Sequence, residues 1–115
     1  MTDSAQTMIA LNAVPVDRSD EFENWLRTVV VPAMRDQRPD LAGRWRLLRA
    51  TESDDGTVTY AFVCEGGVPD DWDLQPLLEN ALGAEGADRA LEDFAGMLRG
   101  EQQAWFFTRM PLDGA

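Results

Sequence analysis

The sequence predicts an α+β domain in which two helices lie on one face of a four-stranded antiparallel sheet. Three observations carry this reading. Between Thr7 and Met110 the chain runs strand, helix, strand, strand, helix, strand; no repeat or linker divides its 115 residues; and all four strand-like runs are apolar on both alternating faces. A chain of this length buries about two thirds of its unfolded surface. It is therefore read as one domain over 1–115, with an ordered core over about 7–110 and a polar, frayed start from Met1 to Gln6.

Thr7 to Val14 alternates, with Met8, Ala10, Asn12 and Val14 on one side and Ile9, Leu11 and Ala13 on the other, so it is the first strand. The Asn12 set is expected to line a cavity, and Ile9 and Leu11 to pack against the helices. Pro15 stops the strand. Ser19 is placed as the N-cap of the first helix, where its hydroxyl can accept an amide hydrogen bond, with Asp20 and Glu21 complementing the dipole. Phe22, Trp25, Leu26, Val29, Val30, Ala33 and Met34 then recur at the spacing of one buried stripe. Pro32 lacks the amide that a regular turn needs, so a bend or break is expected near Thr28; Arg38-Pro39 marks the latest end.

The second and third strands are Arg44 to Thr51 and Thr57 to Cys64, joined through Glu52 to Gly56, whose Asp-Gly pair signals a hairpin turn. The second should be a sheet edge, because its arginines discourage edge-to-edge association. A loop with Gly66, Gly67 and Pro69 leads to Asp73, the N-cap of a short helix carrying Leu74, Leu77, Leu78, Ala81 and Leu82. Gly83 and Gly86 interrupt it. A further helix from about Ala87 to Arg99 ends at Gly100, and Ala104 to Met110 is the last strand.

Two split β-α-β units in this order make the ferredoxin-like plan, in which right-handed crossovers put both helices on one sheet face. The other face is then uncovered, yet each alternation set holds large apolar groups: Val58, Tyr60 and Phe62 oppose Ala61 and Val63, and Trp105 and Phe107 oppose Phe106 and Met110. Leaving four of these in water forfeits about 6 to 12 kcal/mol, comparable with a whole domain's stability. The expected partner is a second copy of the chain.

Composition removes several function classes. A net charge of −11 with no basic run argues against nucleic acid or anionic membrane as partner. All ten basic residues are arginine, and the chain has neither lysine nor histidine. That removes Schiff-base chemistry, histidine general bases and histidine-ligated metal or haem, so no cofactor and no metal are expected. The lone Cys64 cannot form an internal disulfide, and no leader or long apolar run is present, so the expected location is the cytoplasm.

Seven residues stand as site candidates. Asn12 is the one strongly polar side chain in the first strand: either a donor to a substrate carbonyl or enolate, or a buried amide satisfied by neighbouring backbone. Tyr60 could give a proton or hydrogen bond to a developing oxyanion, or be a core tyrosine whose hydroxyl reaches the surface. Arg49 and Arg109 could pair with a substrate carboxylate or phenolate, against the alternative of solvated edge positions. Trp72 could line a pocket mouth and stack on an aromatic ligand; Trp105 fits either such a site or a dimer interface, and Phe62 belongs with the ligand-binding aromatics. Asp70, Asp71 and Asp73 lack calcium-loop spacing and read as a solvated loop with a helix cap.

Asn12, the Glu21-Phe22-x-x-Trp25-Leu26 block, Pro32 and Arg38-Pro39 together resemble the dimeric α/β-barrel superfamily, above all its antibiotic-biosynthesis monooxygenase-like branch. The likeness spans nearly the whole chain through short motifs. It implies two sheets facing each other across a homodimer, with a pocket in each protomer between sheet and helices. Such families include oxygenases of polyketide aromatic rings, haem-degrading enzymes, muconolactone isomerases and ring cyclases, so architecture is implied more firmly than reaction. The absence of histidine sets this chain apart from the haem-degrading members. Trp72 stands where family oxygenases often carry a Trp, though its Asp-Asp-Trp-Asp-Leu setting departs from theirs. The expected function is binding of a hydrophobic, aromatic or polyketide-like small molecule, with cofactor-independent oxygenation or cyclisation as its chemistry. The alternative is a non-catalytic ligand-binding or structural dimeric module of the same fold.

Overall fold

The computed structural model describes residues 6–66, 69–108 and 110. Its strands are β1 (Gln6–Pro15), β2 (Trp45–Arg49), β3 (Thr57–Glu65) and β4 (Gln103–Thr108). They form one antiparallel sheet in the order β2-β3-β1-β4, the ferredoxin-like arrangement, with β2 at one edge. The helices are α1 (Ser19–Trp25), α2 (Val31–Gln37), the one-turn α3 (Pro39–Ala42) and α4 (Leu74–Met97). Among the described residues no helix is long and apolar enough to cross a membrane.

The helix is interrupted around Thr28, as Pro32 indicated. Between α1 and α2 the chain widens into a π-helical turn, Leu26–Val30, where the Val31 amide reaches back five residues to the Leu26 carbonyl. The wider turn absorbs the amide that Pro32 cannot supply, and the Thr28 hydroxyl donates to the Asn24 carbonyl at 2.8 Å. Ser19 is not the cap. A 3₁₀ turn over Val16–Arg18 precedes α1, so Ser19 is already helical and its hydroxyl donates to the Val16 carbonyl at 2.9 Å. Asp73 does cap α4, accepting the Gln75 amide at 3.0 Å.

One of the two expected glycine breaks in α4 is real. Gly83 has φ 80 and ψ 168, a backbone region open only to glycine, and it kinks the helix. Gly86 stays helical; a Cβ there would stand 2.9 Å from the Leu82 Cβ, so its small size serves the close approach across the kink. The β2–β3 hairpin turns through Asp55 (φ 53) and Gly56 (φ 72), as the Asp-Gly pair indicated.

Burial reverses the expected facing of β1. Ala10, Asn12 and Val14 are completely buried beneath the helices, whereas Ile9, Leu11 and Ala13 are half-buried on the opposite face. These short side chains sit beside an aromatic cluster centred on Phe22, whose ring lies 4.8 Å from Tyr60, 6.1 Å from Phe94, 6.3 Å from Trp25 and 6.5 Å from Phe62. The Trp25 indole nitrogen is buried in this cluster without a hydrogen-bond partner among the described residues. By register, Ile9, Leu11, Leu48, Ala61, Val63, Trp105 and Phe107 share the other face. There Leu48, Trp105 and Phe107 remain 51, 46 and 48 % exposed.

Candidate functional site

The two helical segments do not cover the whole helix side of the sheet, and two cavities of about 300 Å³ each open there. The first lies among Met8, Trp45, Phe62 and Cys64 on the sheet, Met34 on α2, and Leu91 and Phe94 on α4. Its mouth is Trp72, Asp73, Leu74, Gln75 and Gln102. Trp45 meets Phe62 edge-on at 5.9 Å, and Phe62 stacks with Phe94 at 6.5 Å. The Trp72 indole donates to the Gly66 carbonyl at 2.9 Å, which fixes the buried ring at the cavity's edge.

Cys64, at the end of the β3 face, is the cavity's thiol. Burial pushes its pKa up to about 12, so it stays protonated and behaves as a small apolar group. Asn12 lies one hydrogen bond behind the wall: Gln102 Nε2 donates to Asn12 Oδ1 at 2.7 Å. The other end of the Asn12 amide donates to the Tyr60 carbonyl at 3.3 Å and the Ala10 carbonyl at 3.5 Å. The sequence posed cavity and helical layer as alternatives for Asn12, whereas the cavity is itself between sheet and helices.

The second cavity is lined by Glu23, Leu26, Arg27, Val31, Leu47, Leu48, Arg49 and Tyr60. Here Glu23 is the hub. Its Oε2 accepts the Tyr60 hydroxyl at 2.6 Å and Arg49 Nη1 at 2.7 Å, and its Oε1 stands 3.9 Å from Arg27 Nη2. The Arg49 guanidinium also sits 5.9 Å from the centre of the Tyr60 ring. Burial first, and then the Glu23 carboxylate, push the Tyr60 phenol up to about 12, so it is neutral and its proton is held toward Glu23.

The candidates are thus divided. Trp72 and Phe62 line the aromatic cavity, with Asn12 behind its rim; Tyr60 and Arg49 meet at the charged cavity. Trp105 lies on the opposite sheet face, paired with Ile9, because β4 turns its odd positions away from the helices. Arg109 lies outside the described residues. Sequence reasoning passed over Glu23 and Gln102. Glu23 follows the buried Phe22 like any solvated helix residue, and the β2–β3 register alone brings Arg49 and Tyr60 beside it. Gln102 sits in the connection before β4, where no periodicity marks it. Among the described residues no group of three or more Cys, Asp or Glu side chains could hold a metal ion.

This architecture is the ferredoxin-like α+β fold. No protein-family model matches the chain, and no curated protein does. Solved structures of the same fold do. A Caulobacter crescentus protein named as a candidate antibiotic biosynthesis monooxygenase is 14% identical over 92% of this chain and 90% of its own, with a TM-score of 0.62. A NIPSNAP family protein of Agrobacterium tumefaciens is 5% identical, covering 98% of this chain and 92% of that one, with a TM-score of 0.64. A dimeric ferredoxin-like protein of unknown function from Thermobifida fusca is 17% identical over 91% of each chain, with a TM-score of 0.53.

Proposed function

We propose that the protein binds a hydrophobic, aromatic small molecule in the cavity walled by Trp45, Phe62, Trp72 and Phe94, and that it does so as a homodimer. The aromatic lining carries the first part: a concave, largely apolar site with a few polar groups at its rim is what such ligands need. The exposed apolar face of Leu48, Trp105 and Phe107 supports the second, as does the likeness to a protein described as dimeric. Light scattering at micromolar concentration should give a dimer mass, and Trp105→Asp should dissociate it or unfold the chain. A stable monomer of the unaltered chain would sink the dimer.

The finer reading is cofactor-independent oxygenation or cyclisation of a polyketide-like aromatic, supported by the likeness to proteins named for antibiotic-biosynthesis monooxygenases. Without metal or flavin, oxygenation requires a substrate whose own electron-rich anion reduces oxygen. In that chemistry Asn12 acts on the aromatic cavity from behind Gln102, whereas Arg49 and Tyr60 stay with Glu23 at the separate charged cavity. Oxygen uptake with an anthrone such as dithranol, compared with the uncatalysed rate, tests it; equal rates would end this reading.

Non-catalytic binding is the second reading, and a specific observation favours it. Among the described residues, Asp73 and Cys64 are the titratable side chains in the aromatic lining; the first is committed to capping α4 and the second is a buried thiol. Binding without turnover of an aromatic ligand would be its signature.

A further inference from the structure

We propose that the aromatic cavity takes its ligand as a hydrogen-bond donor free of negative charge, an aromatic phenol or amine, and that Gln102 is the residue that reads it. The inference rests on that cavity being a ligand site, and it names what the site selects.

Carbonyl oxygens only accept, so the Asn12 atom facing the carbonyls of Tyr60 and Ala10 must be the amide nitrogen. Its oxygen therefore points the other way, and the Gln102 atom that meets it at 2.7 Å must be Nε2. Complete burial leaves Asn12 no freedom to turn over without stranding a donor. The Gln102 side chain, which lines the cavity mouth, keeps both lone pairs of Oε1 and one N–H of Nε2 without a partner among the described residues.

The other polar groups at the mouth have the same bias. Gln75 gives one N–H of its amide to Glu79 at 2.9 Å and Trp72 its single indole N–H to Gly66, so unengaged acceptor sites outnumber the N–H groups left at the mouth. The start of α4 would ordinarily favour an anion, but the Asp73 carboxylate already occupies it through the Gln75 amide. No arginine belongs to the lining among the described residues; the nearby Arg38 is held by Asp40 and Asp71. An anion entering here would meet Asp73 and acceptor oxygens in a protein of net charge −11, with no cation among the described wall residues to offset them.

Equilibrium dialysis of the unaltered protein at neutral pH against four matched probes tests this: β-naphthol, naphthylmethylamine, β-naphthoate and methylnaphthalene. The phenol and the ammonium should bind about tenfold more tightly than the carboxylate, the worth of one good hydrogen bond. Gln102→Leu should bring β-naphthol down to the affinity of methylnaphthalene and leave methylnaphthalene unchanged. Asp73→Asn keeps an equally good cap and should weaken the amine severalfold while sparing the phenol, so it separates the two sources and stands even if Gln102→Leu folds poorly. Naphthoate binding as tightly as naphthol, or a Gln102→Leu variant that loses nothing, would overturn the assignment. Methylnaphthalene binding with no added gain for the phenol removes donor selection and keeps the cavity as a ligand site; no binding by any probe removes both.

Discussion

The cavity at the Trp72 end of the sheet and the one at the Tyr60 end have the same volume, about 300 Å³, and the same sheet face as floor, yet their chemistry is opposite. The first is aromatic, with rims of neutral amides and one carboxylate. The second gathers Arg27, Arg49 and the neutral phenol of Tyr60 around one shared carboxylate, Glu23. A small alternating sheet under incomplete helical cover can thus hold an apolar site and an ion-paired site a few strand positions apart. Phe22 and Phe62 separate them: Phe62 walls the aromatic cavity, and Phe22 stacks on Phe62 and meets Tyr60 at a tilt.

Breaking that division outright should have the largest effect. Phe22→Ala removes the completely buried ring at the centre of the cluster and should cost about 3 to 5 kcal/mol in denaturant unfolding, with loss of aromatic ligand binding. A cost below 1 kcal/mol would mean that the cluster is not a structural divider.

Asn12→Ala should come next. It leaves Gln102 Nε2 without its acceptor and removes both bonds to strand carbonyls, a loss of about 1 to 3 kcal/mol in unfolding free energy. If Asn12 positions the rim of the aromatic cavity, ligand affinity should fall while the dimer persists and the Tyr60 titration stays where it was. A shift in that titration instead would show that the two cavities are coupled.

Glu23→Gln should cost least, about 1 kcal/mol or below, since its pairs are partly solvated. Its readout is sharper than its energy. Tyr60 is the chain's one tyrosine, so ultraviolet absorbance of tyrosinate reports it alone. In the unaltered protein it should titrate near 12, and in the variant lower, though burial keeps it above the ordinary 10. Because the folded value is the raised one, the stability this phenol contributes is whole below pH 10 and is lost as pH rises through about 12. An unmoved titration in Glu23→Gln would deny the carboxylate its part. In the other cavity, Cys64 should resist a disulfide reagent at neutral pH until denaturant exposes it.

Much of the fold was legible because local rules act within a few residues. The alternation of β1 and β3, the Asp-Gly turn, the Asp73 cap and the kink at Gly83 each follow from side chains whose effects are felt over one turn or one hairpin. One local reading failed for an equally local reason, since the 3₁₀ turn after Pro15 moved Ser19 inside the helix; the break expected near Thr28 is there as a π turn.

The site was legible by residue type and not by place. Period-two alternation gives two sets of β1 side chains without saying which one the helices cover, and both sets are apolar, so only packing could decide that Asn12 goes in with Ala10 and Val14. Register does the same for function: Arg49 is opposite Tyr60, and Tyr60 opposite Asn12, through hydrogen bonds between strands up to 48 residues apart. Glu23 and Gln102 acquire their roles only there, because a carboxylate becomes a hub, and an amide a presented acceptor, when distant chain is brought within 3 Å of it. The sequence by itself determined the elements, their amphipathy, the surplus of apolar sheet surface and the exclusion of histidine and lysine chemistry. Tertiary packing decided which face is covered and which polar atoms are left for a ligand, since both depend on contacts that no short window of sequence contains.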